Sequence, residues 1–116
     1  MLLDIPTRLS NIAYDIRCIP AVQADNEMRE NNGILIDVRE PGEVQANPVP
    51  KATNFPRGVL EMKMLENVKD AAKPIYIHCA SGVRAKLSAE QLLAMGYENI
   101  TVITCSVPDI NKAVNN

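Results

Sequence analysis

Residues 74–84 read PIYIHCASGVR, and this stretch decides the fold of the chain. Its first half is a short, largely apolar and β-branched run, which is typical of a buried strand. The segment from Arg84 to Met95 is the clearest helix of the sequence, and Gly96 is a suitable residue to end it. The stretch therefore predicts a strand, a loop and a helix, with Cys79 where the strand ends.

The loop between Cys79 and Arg84 has the features of a site that holds an anion. A helix N-terminus carries positive potential, and successive backbone amides in a turn can converge on one negatively charged atom. Both effects favour the thiolate, which is the nucleophilic form of cysteine. Cys79 is therefore predicted to be a catalytic nucleophile. The alternative, an inert buried cysteine, is disfavoured by its position before a loop of small residues.

The rest of the chain alternates between strand-like and helix-like segments. Strands are predicted at residues 34–38, 52–55, 75–78 and 100–103. Helices are predicted at residues 4–16, 20–30, 41–45, 58–73 (with an interruption), 84–95 and from 106 to about 114. This alternation indicates an α/β domain with a largely parallel sheet, in which ligands bind at the carboxyl ends of the strands. Asp37 and Cys79 both lie at such ends.

The composition limits the class of protein. The chain has 116 residues, a net charge of −2 and 47% hydrophobic residues, which suits a single domain over residues 1–116. Residues 1–16 are interpreted as an N-terminal helical extension of it. The small negative charge argues against a nucleic-acid partner. No apolar run approaches the roughly 20 residues of a membrane-spanning helix, and the N-terminus lacks the pattern of a signal peptide. A cytoplasmic protein without a membrane partner is therefore expected.

The cysteines and the single histidine do not form a metal-binding pattern. Cys18, Cys79 and Cys105 are widely separated, and His78 is the only histidine. A zinc site of the common Cys/His type needs four clustered ligands, so no metal is expected. In a reducing compartment the three cysteines are expected to be free thiols.

Charged residues near the predicted strand ends are further candidates for the site. Asp37 and Arg39 either support a pocket around Cys79 or hold the local backbone through hydrogen bonds. Arg57 either attracts an anionic substrate or remains a solvated side chain.

Four segments of the chain carry a resemblance to a known family. They are residues 35–40 (LIDVRE), 52–58 (ATNFPRG), 77–85 (IHCASGVRA) and 96–100 (GYENI). Taken together and in this order, they resemble the single-domain rhodaneses, the thiosulfate sulfurtransferase family. The resemblance implies a rhodanese-like domain, with a mostly parallel central sheet flanked by helices on both faces.

The resemblance also implies an activity. Cys79 would accept a sulfane sulfur from a donor such as thiosulfate, carry it as a persulfide, and yield it to a thiophilic acceptor such as cyanide or a thiol. The substrate- and anion-binding residues would be Ala80, Ser81, Gly82, Val83 and Arg84. The partners would be a small donor and acceptor or a sulfur-relay protein, and no metal or organic cofactor is needed. Two alternatives are open for the other cysteines. Either Cys18 or Cys105 receives the sulfur from Cys79 as a second thiol, or both are inert.

Two other functions are weighed against sulfur transfer. Dual-specificity phosphatases of the cell-division-cycle type and arsenate reductases on this fold have five residues between cysteine and arginine, whereas this chain has four. One residue fewer removes up to about 3.3 Å of chain, and the smaller ring of amides suits a single outer sulfur atom. A non-catalytic rhodanese-like interaction module has no need of an intact Cys79 and Arg84.

The chain departs from the family pattern at two segments. Residues 46–52 (ANPVPKA) stand where many members carry Gly-His-Ile-Pro-Gly-Ala, and residues 104–106 (TCS) stand where a double glycine is frequent. These segments form or support one rim of the pocket, so the preference for donor and acceptor stays open.

Overall fold

The computed structural model describes residues 1–114, which form a five-stranded sheet with helices around it. The strands are β1 (Arg17–Ile19), β2 (Ile34–Asp37), β3 (Thr53–Asn54), β4 (Ile75–His78) and β5 (Ile100–Ile103). Their spatial order is β1-β5-β4-β2-β3, and every neighbouring pair is parallel. The predicted α/β class with a parallel sheet is therefore confirmed.

Helices connect each strand to the next, one further helix precedes β1 and another follows β5. They are α1 (Ile5–Ser10), α2 (Ala21–Asn31), α3 (Pro41–Ala46), α4 (Leu60–Asn67), α5 (Val83–Ala94) and α6 (Val107–Val114), with a 3-10 turn at Arg57–Val59. Within residues 1–114, no helix is long and apolar enough to cross a membrane.

The sheet has one hydrophobic core on each face, because successive side chains of a strand point to opposite sides. One core joins Ile36, Ile77 and Val102 of the sheet to Leu60 and Met64 of α4 and Leu92 of α5. The other joins Leu35, Tyr76 and Ile103 to Ala24 of α2 and Ile110 of α6. Each fully buried aliphatic side chain contributes about 1.5–3 kcal/mol to folding. Helices therefore cover both faces, as expected.

The N-terminal segment differs from its prediction. The helix expected at residues 4–16 ends at Ser10, and residues 17–19 form the edge strand β1, which was not predicted. Asp4 caps the short helix by accepting a hydrogen bond from the Thr7 amide at 2.8 Å. The segment lies against α5, where Arg8 and Glu90 form an ion pair at 2.6 Å. It is therefore packed on the domain.

The segment at residues 58–73 is also shorter than predicted. The 3-10 turn at Arg57–Val59 leads into α4, which ends at Asn67 because Val68 adopts an extended backbone. The interruption expected in this helix is thus the junction between the turn and α4. The remaining helices and strands lie within a few residues of their predicted bounds.

The strand register brings the ends of β2 and β4 together. Asp37 pairs with His78 in the parallel ladder, and the Val38 amide donates to the His78 carbonyl at 3.0 Å. Cys79 comes directly after His78, so it lies at the carboxyl edge of the sheet beside the segment that follows β2. This edge is where ligands bind in parallel sheets.

Candidate active site

The Cys79 side chain is held inside the loop that it begins. Its Sγ accepts hydrogen bonds from the backbone amides of Gly82 (3.1 Å) and Ala85 (3.3 Å), and the residue is only 1% exposed. Both donors lie at the N-terminus of α5, where amides lack a partner within the helix. A negative charge on Sγ is therefore stabilised by two fixed dipoles and by the positive end of the helix.

Further amides of the same loop are available to an anion. The N–H groups of Ala80, Ser81, Val83 and Arg84 donate to no acceptor within residues 1–114. Ala80 and Ser81 are exposed, so this side of the loop faces solvent. Of the amides in this segment, those of Gly82 and Ala85 hold the thiol, and those of Ala80, Ser81, Val83 and Arg84 remain open.

Gly82 gives the loop its shape. It is the N-cap of α5 and has a φ of +94°, a left-handed conformation that disfavours residues with a Cβ atom. A Cβ atom placed on it would lie 3.6 Å from Cγ2 of Thr104, which is ordinary contact. The backbone conformation, rather than lack of space, makes glycine the suitable residue at this position.

Arg84 is fixed by a residue of another helix. Its guanidinium donates to both carboxylate oxygens of Glu43, from Nη1 at 2.5 Å and from Nη2 at 2.9 Å. The ion pair lowers the pKa of Glu43 to about 2, with a smaller contribution from its hydrogen bond to the Glu40 amide. The same pair raises the pKa of Arg84. The positive charge that ends the loop is thus largely balanced before any substrate arrives.

Asp37 and Arg39 form a buried ion pair beneath the rim of the site. Arg39 binds the Asp37 carboxylate through Nη2 at 2.7 Å and through Nε at 3.0 Å, and it also donates to the Asn47 carbonyl at 2.8 Å. Asn54 donates to the carbonyls of both residues at 2.9 Å. These contacts fix the chain after β2, so both residues hold the backbone and neither binds Cys79.

His78 is completely buried behind Cys79. Its Nε2 lies 3.5 Å from Oδ2 of Asp37, and neither ring nitrogen has a hydrogen-bond partner among the described residues. Burial lowers the pKa of His78, although the Asp37 carboxylate partly opposes this effect. The buried ring does not face the open side of the loop.

The other candidate residues lie farther from the thiol. Arg57 is exposed in the 3-10 turn and lines a groove beside Arg84. Cys18 is exposed on β1, whereas the Cys105 Sγ accepts a hydrogen bond from the Ala21 amide at 3.3 Å. All three cysteines are free thiols. Among the described residues, neither Cys18 nor Cys105 forms a disulfide or a hydrogen bond with Cys79.

Two residues of the site were not assigned to it from the sequence. One of them is Ala85. The helix was predicted to begin at Arg84, whereas α5 begins at Val83, so Ala85 is its third residue. Its backbone amide has no partner within the helix and donates to the Cys79 Sγ. Glu43 is the other residue, and it reaches the site through its ion pair with Arg84. Its partner, Arg84, is 41 residues away, and no local pattern connects the two.

Comparison with known proteins agrees with this geometry. The family model described as Rhodanese-like domain matches residues 21–113, which include the loop, its helix and all strands except β1. The chain belongs to the rhodanese family. The predicted resemblance is thereby confirmed.

Relatives of this rhodanese-like domain include named sulfurtransferases. The mitochondrial thiosulfate sulfurtransferase RDL2 of Saccharomyces cerevisiae is 36% identical over 87 residues, covering 66% of this chain and 58% of that protein. The solution structure of the polysulfide-sulfur transferase homodimer from Wolinella succinogenes is 25% identical, with a TM-score of 0.71, covering 89% of this chain and 78% of that one. The chain spans between 51% and 61% of the length of the curated relatives it matches.

One structural neighbour is described differently. A protein of unknown function from Rhodopseudomonas palustris, described as a possible tyrosine phosphatase, has a TM-score of 0.78. It is 20% identical, and the match covers 97% of this chain and 92% of that one. At 20% identity the likeness shows a shared fold only, and it does not indicate a shared reaction.

Proposed function

We propose that this rhodanese-like domain transfers sulfane sulfur through a persulfide on Cys79. The observation that carries the proposal is the pair of amides on Sγ beside four open amides of the same loop. The two amides hold Sγ in place by hydrogen bonds, and the thiolate is the form of cysteine that attacks sulfur. The open amides suit the outer sulfur of a persulfide, where negative charge collects.

The reaction has two balanced steps. In the first, the Cys79 thiolate attacks the outer sulfur of thiosulfate, the sulfur–sulfur bond of the donor breaks, and sulfite leaves with the electron pair. In the second, a nucleophilic acceptor attacks the outer sulfur of the persulfide, and the Cys79 thiolate leaves. With cyanide the product is thiocyanate, and with a thiolate it is the persulfide of that thiol. The chemistry uses no metal and no organic cofactor.

The described ion pairs suit this reaction better than phosphoryl transfer. A phosphatase of this type needs an arginine whose guanidinium faces the phosphate oxygens. In this chain both terminal nitrogens of Arg84 are bound to Glu43. Four residues between Cys79 and Arg84 also give a smaller ring than the five found in those phosphatases.

Steady-state kinetics test the proposal. We expect parallel double-reciprocal lines when thiosulfate and cyanide are varied, because the covalent intermediate separates the two half-reactions. The Cys79→Ser variant is expected to be inactive, and Cys18→Ser is the matched control with full activity. Intersecting lines would contradict a covalent intermediate. Hydrolysis of p-nitrophenyl phosphate at a comparable rate would favour a phosphatase, and a folded protein inactive in both assays would favour an interaction module.

A further inference from the structure

Residues 1–3, which we call the arm, are apolar and are not covered by the rest of the chain. Met1 and Leu2 are almost wholly exposed, and Leu3 is 53% exposed. The arm ends at Asp4, which fixes the start of α1 by accepting a hydrogen bond from the Thr7 amide at 2.8 Å. Contiguous exposed apolar side chains mark interaction sites, whereas single ones scattered over a surface do not.

An open groove, which we call the N-terminal groove, begins three residues after the arm. Its volume is about 530 Å³, which is within the range of pockets that hold ligands in proteins. Its walls are mainly apolar side chains between residues 6 and 16, including Leu9, Ile12 and Ile16, and Cys18 and Lys86 complete it. The groove therefore offers apolar surface of the kind that the arm leaves exposed.

The charges beside the arm and in the groove are complementary. Lys86 lines the groove and forms no ion pair with any residue between 1 and 114. Asp4 follows the arm directly, is exposed, and likewise has no ion pair within that range. An arm that enters such a groove therefore brings a carboxylate toward an ammonium group, and opposite charges of this kind favour one partner over others.

The occupant that fits the groove is the arm of a second copy. The arm does not fill the groove of its own chain, because Met1 and Leu2 remain exposed. Each chain carries both an arm and a groove, so a twofold axis places each arm at the other groove and closes the assembly as a dimer. A lipid surface fits less well, because helices that lie on membranes carry many cationic residues on their polar face. Here α1 has six residues, and its Arg8 is paired with Glu90.

We propose that two copies of this chain form a dimer by exchanging their arms. Residues 1–3 of each copy lie in the N-terminal groove of the other copy, and Asp4 of the first faces Lys86 of the second. The apolar side chains of both arms leave water, and this burial drives the association. No residue from 79 to 84 lines the groove, so the inference does not rest on the proposed function.

Sedimentation equilibrium over a series of protein concentrations tests the dimer. We expect twice the mass of one chain, and the double variant Leu2→Ser, Leu3→Ser should raise the dissociation constant about 100-fold. Asp4→Asn keeps a residue that caps helices but removes the charge, so it should raise that constant about fivefold. The double variant Met62→Ser, Leu65→Ser is the matched control, because these exposed apolar residues lie on α4.

A disulfide cross-link tests the exchange itself. In Leu3→Cys the introduced thiol should form a disulfide with Cys18 of the other copy, which gives a covalent dimer on a non-reducing gel and a mapped peptide pair. Leu3→Cys combined with Cys18→Ser is the control and should lack this peptide pair.

Four results would overturn the proposal. They are a single-chain mass at every concentration, a dimer that the arm variant does not weaken, a disulfide between the introduced cysteine and Cys18 of the same chain, and arm-dependent binding of a monomer to phosphatidylcholine vesicles. The last result would assign the arm to a membrane surface instead.

Discussion

Arg84 and Glu43 form a bidentate ion pair that joins the loop of Cys79 to α3, with nitrogen–oxygen distances of 2.5 and 2.9 Å. The two residues are 41 positions apart in the chain. The pair fixes the first turn of α5, and Gly82 and Ala85 at this end of the helix bind the Cys79 Sγ. Because Glu43 balances Arg84, we expect the affinity of the site for an anionic donor to depend on the open amides more than on a free cation.

Removal of the Glu43 charge should strengthen binding of an anionic donor. In Glu43→Gln the guanidinium of Arg84 is no longer neutralised, so we expect KM for thiosulfate to fall about fivefold at low salt. The decrease should shrink in about 0.5 M salt, because exposed charges are then screened. Glu66→Gln removes an exposed charge of α4 whose ion pair is with Lys63 and not with a residue of the site, so it serves as the control. An unchanged or higher KM in Glu43→Gln would contradict the role assigned to the pair.

Substitution of Gly82 should destabilise the fold through its backbone. Gly82 has a φ of +94°, so we expect Gly82→Ala to lower the free energy of unfolding by about 1–2 kcal/mol. Gly42→Ala is the matched control, because a Cβ atom at Gly42 has no neighbour within 4 Å and its φ is negative. Urea denaturation measures both. Equal effects of the two substitutions would show that the loop imposes no special conformation at Gly82.

Loss of the buried ion pair between Asp37 and Arg39 should lower the free energy of unfolding far more than loss of an exposed ion pair. Asp37→Ala leaves Arg39, which is 3% exposed, without its carboxylate, so we expect a loss of about 3–5 kcal/mol. Arg8→Gln breaks the ion pair with Glu90 near the surface and should cost less than about 1 kcal/mol. Chemical denaturation of the two variants measures the contrast. Similar losses of unfolding free energy in the two variants would show that Asp37 does not hold the chain after β2 in place.

The contribution of Glu27 to stability should depend on pH. Hydrogen bonds from Arg17, and then from Tyr76, lower the pKa of Glu27 to about 2 in the folded state. The carboxylate therefore stabilises the fold above its unfolded pKa of about 4.5, and this contribution is lost as the pH falls toward 2. We expect Glu27→Gln to be less stable than the unmodified chain by about 1 kcal/mol at pH 7. The difference should vanish near pH 2, and a gap that persists there would refute this explanation.

The parts of the fold that sequence reasoning predicted have strong local signals. β4 and α5 flank a motif of small residues, and their apolar residues follow the periods of a buried strand and a helix. β1 was missed because it has three residues, of which Arg17 and Cys18 are exposed at the sheet edge. An edge strand of this kind lacks the apolar run that identifies a buried strand.

Of the two residues of the site that sequence reasoning missed, Ala85 depends on the local start of α5 and Glu43 depends on a tertiary contact. The proximity of Cys79 to the amides of Gly82 and Ala85 has a local signal, because these residues are close together in the sequence. The partner of Arg84 could not be predicted, since Glu43 reaches it from α3 only after β2 and β4 pair.

Intact-protein mass after incubation with thiosulfate tests the central claim most directly. We expect a gain of about 32 Da, one sulfur atom, that peptide mapping places on Cys79 and that cyanide removes. Cys79→Ser should show no gain, whereas Cys18→Ser and Cys105→Ser should behave like the unmodified chain. An adduct that persists in Cys79→Ser, or no adduct on folded and reduced protein with either thiosulfate or a persulfide donor, would contradict the account.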